Sequence, residues 1–211
     1  DAKTFLNSLE DVDLATFQVA VRLPDKPEYY SQNMPLRVEI DRGTVWYDFP
    51  WRNSGVKVRQ RRERMPMMTL YTRYLGQDIP LVKWPTTIGG WHAESVGQGG
   101  PEFMSYKNSD VGQRVIRDVV AAPVWLPPPS TPGRTLVKLK KNKRGRGTWQ
   151  IKQELLGPGH LSAYGLVAGY LVIPGKTRRG DYDRGIRIHG SSNYTSITNK
   201  RAFSHGCHRM R

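Results

Sequence analysis

The sequence predicts a mainly β domain with few helices, and three observations carry that expectation. Glycine and proline are frequent, 21 and 15 of 211 residues, and lie scattered between short apolar runs rather than gathered in one linker. That is the punctuation of strands joined by turns. The runs themselves alternate or are rich in β-branched and aromatic residues, as a pleated, half-buried surface requires. Helical periodicity is weak.

Taken in order, residues 1–21 hold one candidate short helix, with Phe5, Leu6, Leu9, Leu14 and Phe17 on a rough stripe. Strands are expected at Leu36–Ile40, Thr44–Tyr47, Met67–Thr72, Leu136–Leu139 and Gly185–His189. The stretch after Ser109 fits helix or strand, and Val115 within it reads as strand. Trp125 to Pro132 must run extended, because each proline fixes its own φ and biases the preceding residue away from helix. Gly165–Ile173 is nearly all apolar and reads as a strand buried on both faces. Pro174–Arg184, rich in glycine and charge, reads as an extra loop of the kind that serves as a lid.

The 33 Lys+Arg against 18 Asp+Glu leave a formal charge of +15, which favours an anionic partner such as nucleic acid, acidic lipid or a bacterial wall polymer, or simply keeps the protein soluble. Two basic clusters stand out. Lys138–Gly147 lies between strand-like runs and reads as a solvated hairpin tip or an electrostatic contact with an anionic polymer; Arg59–Arg64 carries the same two readings. Neither has the zinc ligands, aromatic motif or heptads of a nucleic-acid module. No apolar run approaches the ~20 residues that cross a bilayer, so no transmembrane segment is expected. The chain opens at Asp1 without a signal-like stretch, so a signal peptide is expected to be absent or already removed. A single cysteine rules out an intrachain disulfide and a multi-thiolate zinc knuckle.

That cysteine, Cys207, lies in a Ser204-His205-Gly206-Cys207 run, and His189 ends a predicted strand 18 positions earlier. A thiol of pKa about 8.5 is only a few per cent thiolate at neutral pH. An imidazole that takes its proton makes it a nucleophile, leaving a thiolate–imidazolium pair, and needs a partner on its own second nitrogen to fix its tautomer. Gly206 permits a tight turn that exposes sulfur and aims backbone N–H groups at one point, as an oxyanion hole requires. Gly190 lets a backbone carbonyl approach closely. Arg209 is suited to a substrate carboxylate. The residues alone leave other readings open. A lone cysteine is commonly an inert small hydrophobe. A metal would need His205, Cys207 and His208 to converge, and they are too close in sequence to do so easily.

The combination of His189-Gly190 with Ser204-His205-Gly206-Cys207-His208-Arg209 resembles the signature of the L,D-transpeptidase catalytic domain, the YkuD or ErfK/YbiS family. Further likenesses are Leu156-Gly157-Pro158-Gly159 with Tyr164-Gly165, Pro123-Val124-Trp125-Leu126-Pro127, and Trp84-Pro85-Thr86-Thr87-Ile88-Gly89-Gly90. The resemblance runs from about Leu36 to the end, which implies a catalytic domain over 36–211 and an N-terminal extension of unknown role over 1–35. It implies a β-sandwich with few short helices and an acyltransferase of peptidoglycan biosynthesis, working in the periplasm or cell wall. Cys207 would attack the carbonyl after the third residue of a stem tetrapeptide, and the thioester would pass to an amine of a neighbouring stem to give a 3→3 cross-link. His189 would be the base, oriented by the Gly190 carbonyl, with Gly206 and Cys207 N–H groups on the oxyanion. Ser204, His205 and Arg209 would hold substrate, and one of Tyr164, Tyr170 or Tyr194 would assist. No metal or organic cofactor is implied.

Two departures follow. His208 stands where the family usually has an apolar residue, and only four residues follow Cys207 where family domains continue through helix and strand, as if the C-terminal end were truncated. Competing expectations are an L,D-carboxypeptidase or amidase on the same scaffold, a non-catalytic wall-binding component that keeps the motif, and a basic nucleic-acid binder, although nucleic acid is not the expected partner. The acyl acceptor is open between a second stem peptide, an anchored protein and a D-amino acid.

Overall fold

The computed structural model describes residues 23–58, 63–97, 99–178, 180–191, 197 and 204–210. The candidate helix of residues 1–21, most of the Arg59–Arg64 cluster, and Tyr194 lie outside the described residues. The chain divides into two compact units, Asp1–Pro35 and Leu36–Arg211. In the first, a turn closes with Tyr30 N–H on the Pro27 carbonyl (2.9 Å), and Lys26 lies over the Tyr30 ring.

The second unit is mainly β, as the turn-punctuated sequence predicts. Strands β1 (Leu36–Asp41), β2 (Met67–Tyr74) and β3 (Gln77–Pro85) form an antiparallel sheet in the order β1-β2-β3. The two prolines of β3 are tolerated because β3 is an edge strand and the register slips between Leu70 and Tyr71, opposite Pro80. Strands β6 (Val115–Ala121), β9 (Val167–Thr177), β10 (Gly180–His189) and β11 (His208–Arg209) form a second sheet in the order β11-β10-β9-β6. The two sheets face each other across a core of Met68 from β2 with Leu171 and Ile188 from β9 and β10, flanked by Val38, Ile40, Trp84, Ile186 and Met210. Contributions from both sheets to one cluster are what define a sandwich.

Two hairpins stand as separate two-stranded sheets: β4 (Gly89–Ser95) with β5 (Glu102–Asn108), and β7 (Val137–Lys141) with β8 (Gly147–Ile151). Among the described residues, the helices with both ends described are single turns, α1 (Gly133–Leu136) and α2 (Gln153–Leu156).

Three sequence expectations are corrected. Thr44–Tyr47 is not a strand. Thr44 N–H bonds the Arg64 carbonyl beside the left-handed Gly43, and the aromatic residues that suggested a strand cover the β4–β5 hairpin instead. Tyr47 meets Tyr106, Phe49 meets Trp91 edge-on at 5.1 Å, and the Trp91 indole N–H donates to the Tyr47 carbonyl. Pro174–Arg184 is not a free loop but the far end of the β9–β10 hairpin, where Tyr182 pairs with Ile173 and Gly180 with Thr177. One of its charges is held in place: Gly175 N–H and the Arg117 guanidinium of β6 both bond Asp181. Gly165–Ile173 is a strand only from Val167, because Gly165 is left-handed (φ +66°) and turns the chain into it.

Candidate active site

The site lies at one end of the four-stranded sheet. Strand β10 ends in His189, and β11 runs parallel beside it, pairing Ile188 with His208 and His189 with Arg209. A parallel neighbour needs a crossover of a dozen or more residues, and the 18 positions between the histidine and the cysteine supply it. Cys207 immediately precedes β11, so it sits beside Arg187 on the adjacent strand. The Met210 N–H on the His189 carbonyl (2.8 Å) locks this register.

His189 is buried, with its Nδ1 2.5 Å from the Gly190 carbonyl. A carbonyl only accepts, so Nδ1 carries the hydrogen and Nε2 keeps its lone pair. The Tyr164 ring meets the imidazole edge-on at 5.0 Å. Burial, then the nearby Arg209 cation, draws the His189 pKa down to about 4. Two glycines allow this packing: a Cβ on Gly165 would come within 2.9 Å of the Gly190 backbone. The Tyr164–Gly165 turn is thereby pressed against His189–Gly190.

Cys207 is half-buried, and its thiol donates to the Gly185 carbonyl at 3.6 Å. Burial pushes the thiol pKa up, against the Arg187 backbone N–H and the Arg209 and Arg187 guanidinium groups, which favour thiolate. The lowered imidazole pKa and the raised thiol pKa both favour the neutral forms. Burial penalises the charged form of each group. Gly206, one residue earlier, is left-handed at φ +109°, and a Cβ there would strike Ile186 and the Asn108 carbonyl.

Of the other sequence-named residues, Ser204 is fully buried, and its carbonyl accepts the His92 Nε2–H at 2.7 Å. His205 is exposed, with its ring stacked on His92 at 4.0 Å. Arg209 is largely buried, and its cation is felt by His189, His205 and Cys207. His208, the departure from the family pattern, is buried and donates Nδ1–H to the Thr87 carbonyl at 3.0 Å. Burial draws its pKa to about 4, so a neutral imidazole occupies the apolar position with its polar atom satisfied. Among the tyrosines, Tyr164 is at the site, its pKa pushed up to about 12 by burial and then by Cys207. Tyr170 instead lies under the Arg187 guanidinium at 4.0 Å.

Sequence reasoning missed the scaffold behind Cys207. Thr87 Oγ1–H donates to the Cys207 carbonyl (3.0 Å) and accepts the Arg209 N–H (3.1 Å), while Thr86 Oγ1–H donates to the Arg209 carbonyl (3.0 Å). One buried hydroxyl thus spans Cys207 to Arg209. Next to it, Gly89 (φ +86°) leaves room for the turn: a Cβ there would sit 2.7 Å from both the Gly206 nitrogen and the Ser204 oxygen. The segment 84–90 held a family likeness, but nothing in its sequence aimed it at Cys207. Also missed were His92 and Arg187, whose guanidinium makes a bidentate pair with Asp183 at 2.6 Å. Among the described residues no group of three His, Cys, Asp or Glu is placed to hold a metal ion. Likewise among them, no helix is long and apolar enough to cross a membrane.

Among curated proteins and among solved structures, none matches the chain. The model of one family, YkuD, the L,D-transpeptidase catalytic domain, matches residues 67–211, which takes in every strand from β2 onward together with the thiol, the imidazole and the threonine clamp. A match over that much of the chain, taking in this site, makes the protein a member of the L,D-transpeptidase catalytic-domain family.

Proposed function

We propose that the protein is a cysteine-dependent L,D-transpeptidase that forms 3→3 cross-links in peptidoglycan outside the cytoplasm. The observation that carries the reading is the His189 tautomer: Nδ1–H is committed to the Gly190 carbonyl, leaving Nε2 basic, on the strand whose parallel neighbour starts directly after Cys207.

Because burial favours the neutral forms of thiol and imidazole, His189 acts as a general base during attack rather than as half of a standing ion pair. Nε2 takes the Sγ proton as sulfur bonds to the carbonyl carbon of the third stem residue. The tetrahedral oxyanion is held by backbone N–H groups of the Gly206–Cys207 turn. Collapse breaks the amide, and imidazolium returns the proton to the departing D-alanine amine. The amine of a second stem then attacks the thioester, His189 takes its proton, and collapse restores the thiol. Arg209, whose cation already reaches the sulfur, favours the transient thiolate and a substrate carboxylate. Tyr164 stays protonated at neutral pH and serves as an O–H donor beside the imidazole.

Incubation with a disaccharide tetrapeptide, followed by mass analysis, tests the reading. The expected product is a cross-linked dimer with loss of one D-alanine, and Cys207→Ser should lower its rate by more than about 1000-fold. Tripeptide without dimer would replace transfer by hydrolysis. Turnover that survives the serine substitution would remove the thiol from the mechanism. Adding an anchored protein or a D-amino acid as competing amine identifies the acceptor.

A further inference from the structure

The β7–β8 hairpin belongs to neither sandwich sheet. Its register pairs Val137 with Ile151 and Leu139 with Trp149, and alternate residues share a face, so these four apolar side chains lie on one side. Leu139 reaches over Gly147, where a Cβ would come within 2.8 Å of its methyl carbon. The face is uncovered: Trp149 is 67% exposed, Ile151 54% and Leu139 46%.

The opposite face carries Lys138 and Lys140, and only Lys138 is tied to a carboxylate, Glu154. The tip is a built turn. Asn142 Oδ1 accepts the N–H groups of Arg144 and Arg146 at 3.0 Å, and Gly145 takes the left-handed conformation. Lys143, Arg144 and Arg146 are thus presented on an ordered loop. From Val137 to Lys152 there are seven Lys and Arg and no Asp or Glu.

Charge complementarity asks for an anionic partner, and the apolar face asks for one with an apolar phase. A soluble polyanion supplies only the first and leaves Leu139, Trp149 and Ile151 in water. A glycan stacks on a flat ring and needs hydrogen-bonding neighbours, which Leu139 and Ile151 do not offer. An anionic lipid surface supplies both: acyl chains below the headgroups for the aliphatic residues, an interfacial layer for the indole, and phosphates for cations that snorkel outward. We propose that the β7–β8 hairpin docks the protein on an anionic membrane surface, without crossing it. The proposal does not depend on the reaction assigned above.

Co-sedimentation of the full chain with vesicles tests it. The protein should bind vesicles of phosphatidylglycerol and phosphatidylcholine, bind pure phosphatidylcholine at least about tenfold more weakly, and lose affinity as salt rises. Trp149→Ser and the double change Lys143→Glu with Arg144→Glu should each weaken binding on the order of tenfold. All three positions are exposed, so an unchanged melting temperature should accompany the loss. Absence of binding to the mixed vesicles overturns the proposal. So does binding that the charge change abolishes but Trp149→Ser leaves intact, which would mark a site for a soluble polyanion.

Discussion

Thr87 Oγ is the single atom that both accepts from Arg209 and donates to the Cys207 carbonyl, and it does so from a buried side chain. Thr87→Val keeps the shape and removes the hydroxyl, leaving a buried N–H and a buried carbonyl short of a partner. The expected cost is about 1–3 kcal/mol of stability. Cys207 would also lose its fixed position, so kcat for acyl transfer should fall at least about tenfold with KM little changed. Thr87→Ser, which restores the hydroxyl, should recover most of both. Urea unfolding and steady-state kinetics on the tetrapeptide check the pair, and a serine variant as poor as the valine one would point to methyl packing instead. The sequence singled out Cys207, His189 and Gly190 as candidates because nucleophile chemistry has few residue options. It did not show Thr87, because a threonine inside a stretch such as Trp84–Gly90 has no local feature that distinguishes a clamp from a strand end.

At the scale of elements, the β3–β4 connection and the turn before β11 are fitted by closeness of backbone rather than by side chains. Gly89 is left-handed, and a Cβ on it would come within 2.2 Å of the Lys107 oxygen as well as against the Gly206 nitrogen. Backbone atoms on both sides cannot step aside, so Gly89→Ala should displace the turn before Cys207. Gly55 supplies the control, being left-handed (φ +77°) with nothing near its missing Cβ. Gly55→Ala is expected to cost about 1–2 kcal/mol from backbone strain alone, and Gly89→Ala about 1–3 kcal/mol more from overpacking. Denaturant midpoints measure both, and equal costs would show that the turn tolerates displacement. Element type was mostly legible where apolar runs were long: β1, β2, β9 and β10 begin or end within a few residues of expectation. Strands β3, β4, β5 and β8 were not, since prolines, glycines or charges interrupt their patterns and their stability comes from partners distant in sequence.

Over the whole molecule, burial of neutral histidines sets the response to acid. His92, His189 and His208 each titrate at about 4 in the folded protein, with burial the leading cause. In an unfolded chain the same groups titrate at about 6.5. Between those values the unfolded state binds more protons, so protonation favours unfolding and stability rises with pH. The contribution is complete above about pH 6.5 and is lost as pH falls toward 4. Unfolding free energies from urea melts between pH 7.5 and 4.5 should drop on the order of several kcal/mol in total. A flat profile would mean that these imidazoles are solvated.

The sequence by itself determined the class of fold, the basic character and the family to which the His189 and Cys207 segments point, because period, turn residues and a rare motif are local properties of the chain. Tertiary structure decided the rest. Which tyrosine stands beside His189 and which buried hydroxyl holds Cys207 depend on residues far apart in sequence meeting at one sheet end. It also decided that thiol and imidazole favour their neutral forms, since that follows from how much water the folded protein excludes around each group.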